Sequence, residues 1–225
     1  NRLTRTPGSQ PPLLLSASGT GRRQQLFLEA FELRLASGKV TGEGWAWHAA
    51  YRIGHFTKGY RAFGETAWLD YGVKYYDALL EKLATGPDGY KGWIGPYIYD
   101  KSVWADVHIG DAILFNGMLE FAVLVHDTPE LQDRYGEKAR HYVQLARRHL
   151  IEKYDKRGTW YEDGAIGGYF AWDHYGQPGQ FTGWKQMPEI KNSNLSLPFN
   201  KQNDMAMACL RIWRCTGEES YREKA

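Results

Sequence analysis

The chain lacks most of the features that assign a protein to a class at first sight. No apolar run approaches the roughly 18 residues that a membrane span needs. The H-x-H and H-E-x-x-H spacings of metal sites are missing, as are the P-loop, the dinucleotide glycine motif and the G-x-S-x-G element. The sequence therefore predicts no membrane span, no metal and no cofactor.

Cysteine is also scarce, with two in 225 residues. Cys209 and Cys215 are six positions apart on one predicted helix, so their Cα atoms would be about 9 Å apart at 1.5 Å per residue. This exceeds the roughly 7 Å limit for a disulfide. We expect two free thiols, which leave the cellular compartment undecided.

Charge of one sign is not in excess, whereas aromatic residues are abundant. The 28 basic and 26 acidic residues nearly balance, and no basic cluster indicates a nucleic-acid-binding face. Nine Trp, fifteen Tyr and nine Phe make the chain 15% aromatic, and many lie in glycine-rich segments instead of on helix faces. This pattern suits a groove that stacks flat ligands, and the missing basic patch favours sugars over nucleobases.

Helical periodicity dominates after residues 1–21, a segment rich in Pro, Ser, Gly and Thr that we expect to be a flexible lead-in. Residues 22–225 are predicted to form one domain built from a repeated unit. In each unit a nearly apolar buried helix, a tight turn and an amphipathic exposed helix follow one another. The buried helices are predicted at about 46–63, 106–126 and 201–216, and the exposed ones at about 65–85, 129–153 and from 218 onward.

Alternating buried and exposed helices indicate an all-α fold, an α/α toroid in which inner helices line a ring and outer helices wrap it. A tetratricopeptide-like solenoid is the alternative, but its period is near 34 residues. Here a Tyr-x-x-Lys element repeats early in each exposed helix, at Tyr71, Tyr135 and Tyr221, and these positions are 64 and 86 residues apart. Three hairpins do not close a ring, so we expect the toroid to be incomplete and truncated at its C-terminus.

Two long connections, residues 86–105 and 154–200, each end at the start of a buried helix. Long loops gathered on one face of a rigid scaffold are common positions for sites, and helix N-termini favour negative charge there. At the third buried helix, Asn200, Gln202 and Asn203 could donate amide N–H groups to an anionic or hydroxylated ligand, with Asp204 as the cap. Alternatively, all of these are solvated capping and turn residues.

The second buried helix opens with Asp106, His108 and Asp111. His108 could transfer protons, or it could be a hydrogen-bonded core residue with Asp106 as the N-cap. In the first buried helix His48 and His55 are more typical of structural residues. Aromatic residues near these helix heads are candidate stacking platforms for a substrate. They are Trp45, Trp47, Trp93, Trp104, Tyr161 and Trp172.

The second connection is also dense in groups that can act as acids or bases. Ordinary turn chemistry accounts equally well for any one of them. These residues are Tyr161, Glu162, Asp163, Tyr169, Asp173, His174 and Tyr175.

The chain resembles the α/α-toroid carbohydrate-active enzymes, which include alginate lyase-like polysaccharide lyases and six-hairpin glycosidases. The resemblance covers roughly residues 44–225 and lies in the Asn- and His-bearing helix heads, the turns such as "TGEESYREKA" and the aromatic loops. "NKQND" is the nearest match to the Asn-Asn-His run of alginate and heparin lyases, and it lacks the His. The resemblance implies an acidic oligo- or polysaccharide substrate and a periplasmic or secreted location.

Three functions remain open at this point. In a lyase or C5-epimerase, Asn200, Gln202 and Asn203 would neutralise a uronate carboxylate. The base would be His108 or His174, and the acid Tyr169 or Tyr175. An inverting hydrolase would use two carboxylates chosen from Asp106, Asp111, Glu162, Asp163, Asp173 and Asp204. A non-catalytic helical scaffold is the third function.

Overall fold

A computed structural model describes residues 42–98, 101–164, 166–170, 174–177, 180–185 and 199–225. The structure is mostly helical, with short strands in the connections, which confirms the all-α class. The predicted lead-in, residues 1–21, lies outside the described residues, and so do Trp172 and Asp173.

The first hairpin consists of α1 (Glu43–Ile53), α2 (His55–Phe63) and α3 (Ala67–Leu80). The single helix predicted at 46–63 is wrong, because the helix is interrupted at Gly54, a residue that weakens helices by its backbone freedom. Helix α3 runs antiparallel to α2, because Gly59 lies against Trp68 and Phe56 lies against Gly72. The hydroxyl groups of Tyr75 and Tyr76 donate to the carbonyl oxygens of Ala49 and Ile53, both at 3.1 Å.

The second hairpin begins with α4 (His108–Asp127) and a 3-10 turn (Pro129–Leu131). It continues through α5 (Gln132–Ala146), a π-helical segment (Arg147–Glu152) and α6 (Lys153–Lys156). The third consists of α7 (Phe199–Thr216) and α8 (Glu219–Lys224). Cys209 on α7 is buried and both cysteines are free, which confirms the prediction made from their spacing.

Helix α4 is the centre of the core, as its nearly continuous apolar sequence predicts. Solvent reaches mainly one strip along its middle, marked by Ile113, Glu120 and Val123. Gly117 lies against Ile53, where a Cβ would come within 2.8 Å of the Ile53 Cγ2 atom, so glycine permits close packing of α1 on α4. Among the described residues, α4 is the one helix with the length and apolarity of a membrane span, and most of it is buried inside the fold.

The three inner helices run in the same direction. The Thr57 hydroxyl donates to Glu120 across α2 and α4 at 3.0 Å. Between α4 and α7, Asn116 binds near the start of α7 and Asp127 binds Arg214 near its end.

The outer helices are also parallel to one another. Arg134 and Lys138 of α5 form ion pairs with Asp70 and Asp77 of α3. Arg147 pairs with Glu218, just before α8. The chain is therefore an array of antiparallel hairpins that pack side by side in one orientation.

Short antiparallel strands occupy the connections. One pair is β1 (Ala84–Thr85) with β2 (Lys91–Gly92), and a second is β5 (Trp160–Asp163) with β6 (Ile166–Tyr169). A four-stranded sheet has the order β3-β4-β7-β8 and contains β3 (Gly95–Pro96), β4 (Trp104–Asp106), β7 (His174–Gln177) and β8 (Gln180–Lys185).

These strands lie at the N-terminal ends of the inner helices. A Cβ on Gly42, just before α1, would lie 2.8 Å from the carbonyl carbon of Gly95 in β3. Strand β4 leads directly into α4. Gln202 in the first turns of α7 binds the backbone of Tyr169 in β6. The end of the array that carries all three inner-helix N-termini is called the mouth below.

Candidate functional site

A buried cluster of charged side chains lies beneath the mouth. The Lys153 ammonium group donates to the Asp106 carboxylate at 3.0 and 3.2 Å, to the backbone carbonyl of Lys91 at 3.0 Å, and to Asp111. The Asp106 carboxylate also accepts from Arg157 at 2.8 Å. The side chains of Lys153 and Asp106 are fully buried, so this cluster joins the loop, α4 and the end of the second outer helix.

The two carboxyl groups have different electrostatic surroundings. Burial alone would raise the pKa of Asp106, but the charges of Lys153 and Arg157 outweigh burial and hold that pKa well below its usual value. Burial raises the pKa of Asp111, and the neighbouring Asp106 charge adds to the shift. Asp111 is nevertheless hydrogen-bonded, since it accepts from the backbone N–H of Trp93 at 3.1 Å and from the Tyr154 hydroxyl at 3.0 Å.

Gly92 has no side chain, and the charged cluster occupies the space that a side chain there would fill. A Cβ at this position would lie 2.9 Å from the Lys153 Nζ atom and 2.9 Å from the Asp106 carboxyl carbon, and closer still to one carboxylate oxygen. Any larger residue would displace the ion pair.

His108 lies beside the cluster in closely packed surroundings. Its ring stacks on Tyr154 with 3.5 Å between centroids. Its Nε2 atom is 3.1 Å from the Thr159 hydroxyl oxygen, which is also 2.8 Å from the Tyr154 carbonyl oxygen.

Burial removes several predicted catalytic residues from direct contact with a substrate. Asp106, His108, Asp111 and Tyr169 each expose 2% or less of their surface. Asp106 is in β4, and Val107 occupies the N-cap position of α4, so the prediction of an Asp106 cap is wrong. Burial, reinforced by Asp155, raises the pKa of Tyr169, whose hydroxyl donates to that carboxylate at 3.1 Å. These four residues support the mouth from inside.

The head of α7 corrects the interpretation of the polar run that opens it. The helix begins at Phe199, so Asp204 lies inside the helix and does not cap it. Gln202 uses its side-chain oxygen and nitrogen on the backbone N–H and carbonyl of Tyr169, at 3.0 and 2.9 Å. Gln202 thus holds the β5–β6 hairpin against the helix, while Asn200 and Asn203 remain exposed at the mouth.

The predicted stacking platforms divide into two groups. Trp93 is 3% exposed, packs edge-on against Phe115 and donates its indole N–H to Leu79, so it is a core residue and presents no face to a ligand. The others are half-buried at the mouth. These are Trp45, Trp47, Trp104 and Tyr161, and Tyr161 stacks on Phe170 with 4.6 Å between ring centroids.

His174 and Tyr175 are on β7, which pairs with β4. In the register of this pair, His174 is opposite Asp106 and Tyr175 is opposite Ala105. The sheet therefore brings these two backbone positions next to the head of α4.

Periodicity could have identified Lys153 and Arg157, which sequence reasoning missed. They continue the buried stripe of Ala146 and Leu150 at the same helical spacing. A cation in an apolar stripe predicts a buried anion opposite it. The interpretation of residues 129–153 as a surface helix treated every Lys and Arg as solvated.

A second polar cluster, also missed, crosses the three inner helices on their solvent-exposed side. Its centre is the buried side chain of Asn116, whose Nδ2 atom donates to the Asp204 carbonyl at 2.7 Å. Arg211 Nη1 donates to the Asn116 side-chain and backbone oxygens at 2.8 and 3.1 Å. Glu120 and Lys58 lie close by, each within 3.8 Å of a Cβ built on Gly54. This solvent-exposed side of the inner helices is called the open face below.

No group of three or more His, Cys, Asp or Glu side chains in the described part of the chain is arranged to hold a metal ion. No protein-family model, curated protein or solved structure matches the chain. Its function must therefore be inferred from the chain's own residues and geometry.

Proposed function

We propose that this protein is a carbohydrate-active enzyme, a polysaccharide lyase or C5-epimerase acting on a uronic-acid-containing glycan. In this proposal the three hairpins form part of an α/α toroid, the substrate enters at the mouth, and the protein is periplasmic or secreted. Parallel inner helices with their loops collected at one end support this arrangement, although a solenoid would share the parallel packing.

The burial and pairing of the Asp106 and Asp111 carboxyl groups favour elimination over hydrolysis. An inverting glycosidase needs two accessible carboxyl groups about 6.5–9.5 Å apart with a water between them. Asp106 and Asp111 both bind the same Lys153 ammonium group, and their side chains are 0% and 2% exposed. By contrast, the amide side chains of Asn200 and Asn203 are exposed at the head of α7, where the N–H groups of a helix favour an anion.

The chemistry of elimination matches such groups. Neutralisation of the C5 carboxylate by amide N–H donors makes the C5 proton acidic. A base removes that proton, the C4–O bond breaks, and an acid protonates the departing oxygen, leaving a C4–C5 double bond. An epimerase would instead return a proton to the other face of C5.

With His108 and Tyr169 buried, His174 and Tyr175 are the remaining candidates for the base and the acid. Their β7 positions are hydrogen-bonded to β4 at the mouth.

Two alternatives have observations of their own. Glu162 and Asp163 are exposed on β5, so a hydrolase could draw its carboxylates from this hairpin. Tyr51 and Phe199 expose 78% and 89% of their surfaces, which a protein-binding scaffold would use as contacts.

Ultraviolet absorbance separates these functions. A lyase incubated with polyuronates generates an unsaturated product that absorbs, and we expect His174→Ala, Tyr175→Phe and Asn200→Ala to abolish the signal. His126→Ala, an exposed position at the other end of α4, is the matched control and should keep full activity. An epimerase gives no absorbance but exchanges the C5 proton with deuterium from solvent.

The release of reducing ends without absorbance, lost on Glu162→Gln or Asp163→Asn, would establish the hydrolase. The absence of all three signals across glucuronate, galacturonate and mannuronate polymers would overturn the proposal of an enzyme for uronates.

A further inference from the structure

Arg211 on the open face has the properties of a preorganised anion-binding residue. Its Nη1 atom is fixed by two hydrogen bonds to Asn116, whose side chain is 6% exposed. The other N–H groups of the guanidinium donate to no described residue, and they are not buried. A guanidinium held on one side and open on the other can bind a carboxylate with two parallel hydrogen bonds.

Asn116 also draws this guanidinium towards the mouth. Its Oδ1 atom accepts from Arg211 while its Nδ2 atom donates to the Asp204 carbonyl, two helical turns nearer the start of α7. The Arg211 side chain therefore points back along α7, towards the turn that contains Asp204.

The Asp204 carboxyl group adds acceptors for a hydroxylated ligand. It is half-buried and accepts no hydrogen bond from any described side chain or backbone group. Burial raises its pKa, although Arg211 opposes the shift. Free acceptors beside free guanidinium donors fit a sugar ring that carries both hydroxyl groups and a carboxylate.

The surrounding charges permit an anion at this position. Glu120 is the other carboxylate near Arg211, and it accepts from Thr57 at 3.0 Å. Arg61 is close enough to lower the Arg211 pKa, although burial is the larger cause. Together with Lys58 beside Glu120, this part of the open face has three cations and two carboxyl groups.

We propose that the open face carries a uronate-binding subsite, in which Arg211, held by Asn116, binds the sugar carboxylate and Asp204 accepts from its hydroxyl groups. The subsite rests on the proposed function for its choice of ligand, but it requires binding alone and no reaction. It extends the substrate path from the mouth along α4 and α7.

The test is titration of the protein with three saturated tetrasaccharides: a polyuronate, its neutral reduced counterpart and a sulfated neutral oligomer. Arg211→Gln should weaken uronate binding roughly tenfold to a hundredfold, as expected for the loss of a charged hydrogen-bonded contact. Arg211→Lys keeps the positive charge but loses the pair of parallel N–H donors, and it should weaken uronate binding less than Arg211→Gln does. Binding of the neutral oligomer should change little in either variant.

Arg214→Gln is the matched control, because Arg214 lies one turn further on, is more exposed and is paired with Asp127 at 3.0 Å. It should bind all three ligands as the wild type does. Melting curves of Arg211→Gln and Arg211→Lys show whether either variant is misfolded, and Arg211→Lys carries the test if Arg211→Gln is.

Three results would overturn the subsite. The first is an unchanged uronate affinity in both Arg211 variants, and the second is an equal loss of affinity for the neutral and the uronate oligomers. The third is tighter binding of the sulfated oligomer than of the uronate oligomer. Wild-type protein that binds no uronate would overturn it too. Arg211-dependent uronate binding without elimination or C5 exchange would leave the subsite standing and reject the proposed reaction. Elimination activity that Arg211→Gln leaves unchanged would reject the subsite and leave the proposed reaction standing.

Discussion

Replacing Lys153 by methionine should destabilise the protein strongly, because the buried cluster would lose its central cation. The ammonium group is the shared donor to Asp106, Asp111 and the Lys91 carbonyl. Without it, Asp106 keeps Arg157, but the Asp111 carboxylate keeps only the Trp93 N–H and the Tyr154 hydroxyl.

Removing one partner of a buried ion pair typically costs about 3–5 kcal/mol, since the other charge stays desolvated. We expect a loss of that size in the free energy of unfolding, measured at pH 7 by urea denaturation followed by tryptophan fluorescence.

Two comparisons test the cause of the loss. Lys138→Met removes an ion pair to Asp77 in which both side chains are more than a third exposed, so it should cost less than about 1 kcal/mol. Adding Asp111→Asn to Lys153→Met should recover part of the stability, because a neutral amide still accepts from the Trp93 N–H.

The pH dependence follows from the raised pKa of Asp111. A native carboxyl group that holds its proton more tightly than the unfolded chain destabilises the fold above its native pKa. Asp111 should therefore stabilise both the wild type and Lys153→Met increasingly as the pH falls from neutral towards about 4, near the unfolded Asp value. Loss of the Lys153 charge raises the Asp111 pKa further, so the cost of Lys153→Met should increase as the pH rises above neutral. If Lys153→Met costs no more than Lys138→Met, the cluster does not contribute as its geometry implies.

Three further predictions concern the same end of the molecule. Burial, with the neighbouring charge of Lys153, lowers the pKa of His149 to about 4. The stabilising contribution of His149 is therefore complete above about pH 6.5 and is lost as the pH falls towards 4. In His149→Gln the urea midpoint should change less with pH over that window than in the wild type, and an equal pH dependence in the two proteins would contradict this. Gly92→Ala should cost about 1–3 kcal/mol by overpacking the ion pair, whereas Gly44→Ala, where a Cβ meets nothing within 4 Å, should be neutral or stabilising in the same denaturation assay. Gln202→Leu leaves the Tyr169 N–H and carbonyl without their partner, so exchange of the Tyr169 amide hydrogen with solvent should accelerate. Protection equal to that of the wild type would show that the β5–β6 hairpin does not depend on these two hydrogen bonds.

The sequence predicts the helices well because their signal is local. The apolar run of α4 and the stripe of Tyr135, Ala139 and Tyr142 depend only on helical spacing, and the structure places helices there. The break at Gly54 is not predicted from the sequence, because glycine destabilises a helix only modestly. The sequence does not reveal whether packing against neighbouring helices offsets that destabilisation.

The polar residues at the helix heads were harder to interpret from sequence. Asp106 and Asp111 have the composition of a catalytic pair, and only the position of Lys153, more than forty residues away, shows that they are bound and buried. Gln202 likewise looks free until the β5–β6 hairpin is placed beside it. Pairings over such separations have no local pattern, so sequence reasoning located these polar residues at the helix heads but could not assign their partners.

The parallel packing of the hairpins implies that resistance to local opening is graded along the chain. In the part of the chain that the structure describes, α4 has α1 and α2 on one side and α7 on the other, so its amide hydrogens should exchange most slowly. Arrays whose units contact mainly their neighbours lose their outer units first. Among the described helices, those at the edges of the array should therefore open before the middle hairpin, which keeps the buried charges in place.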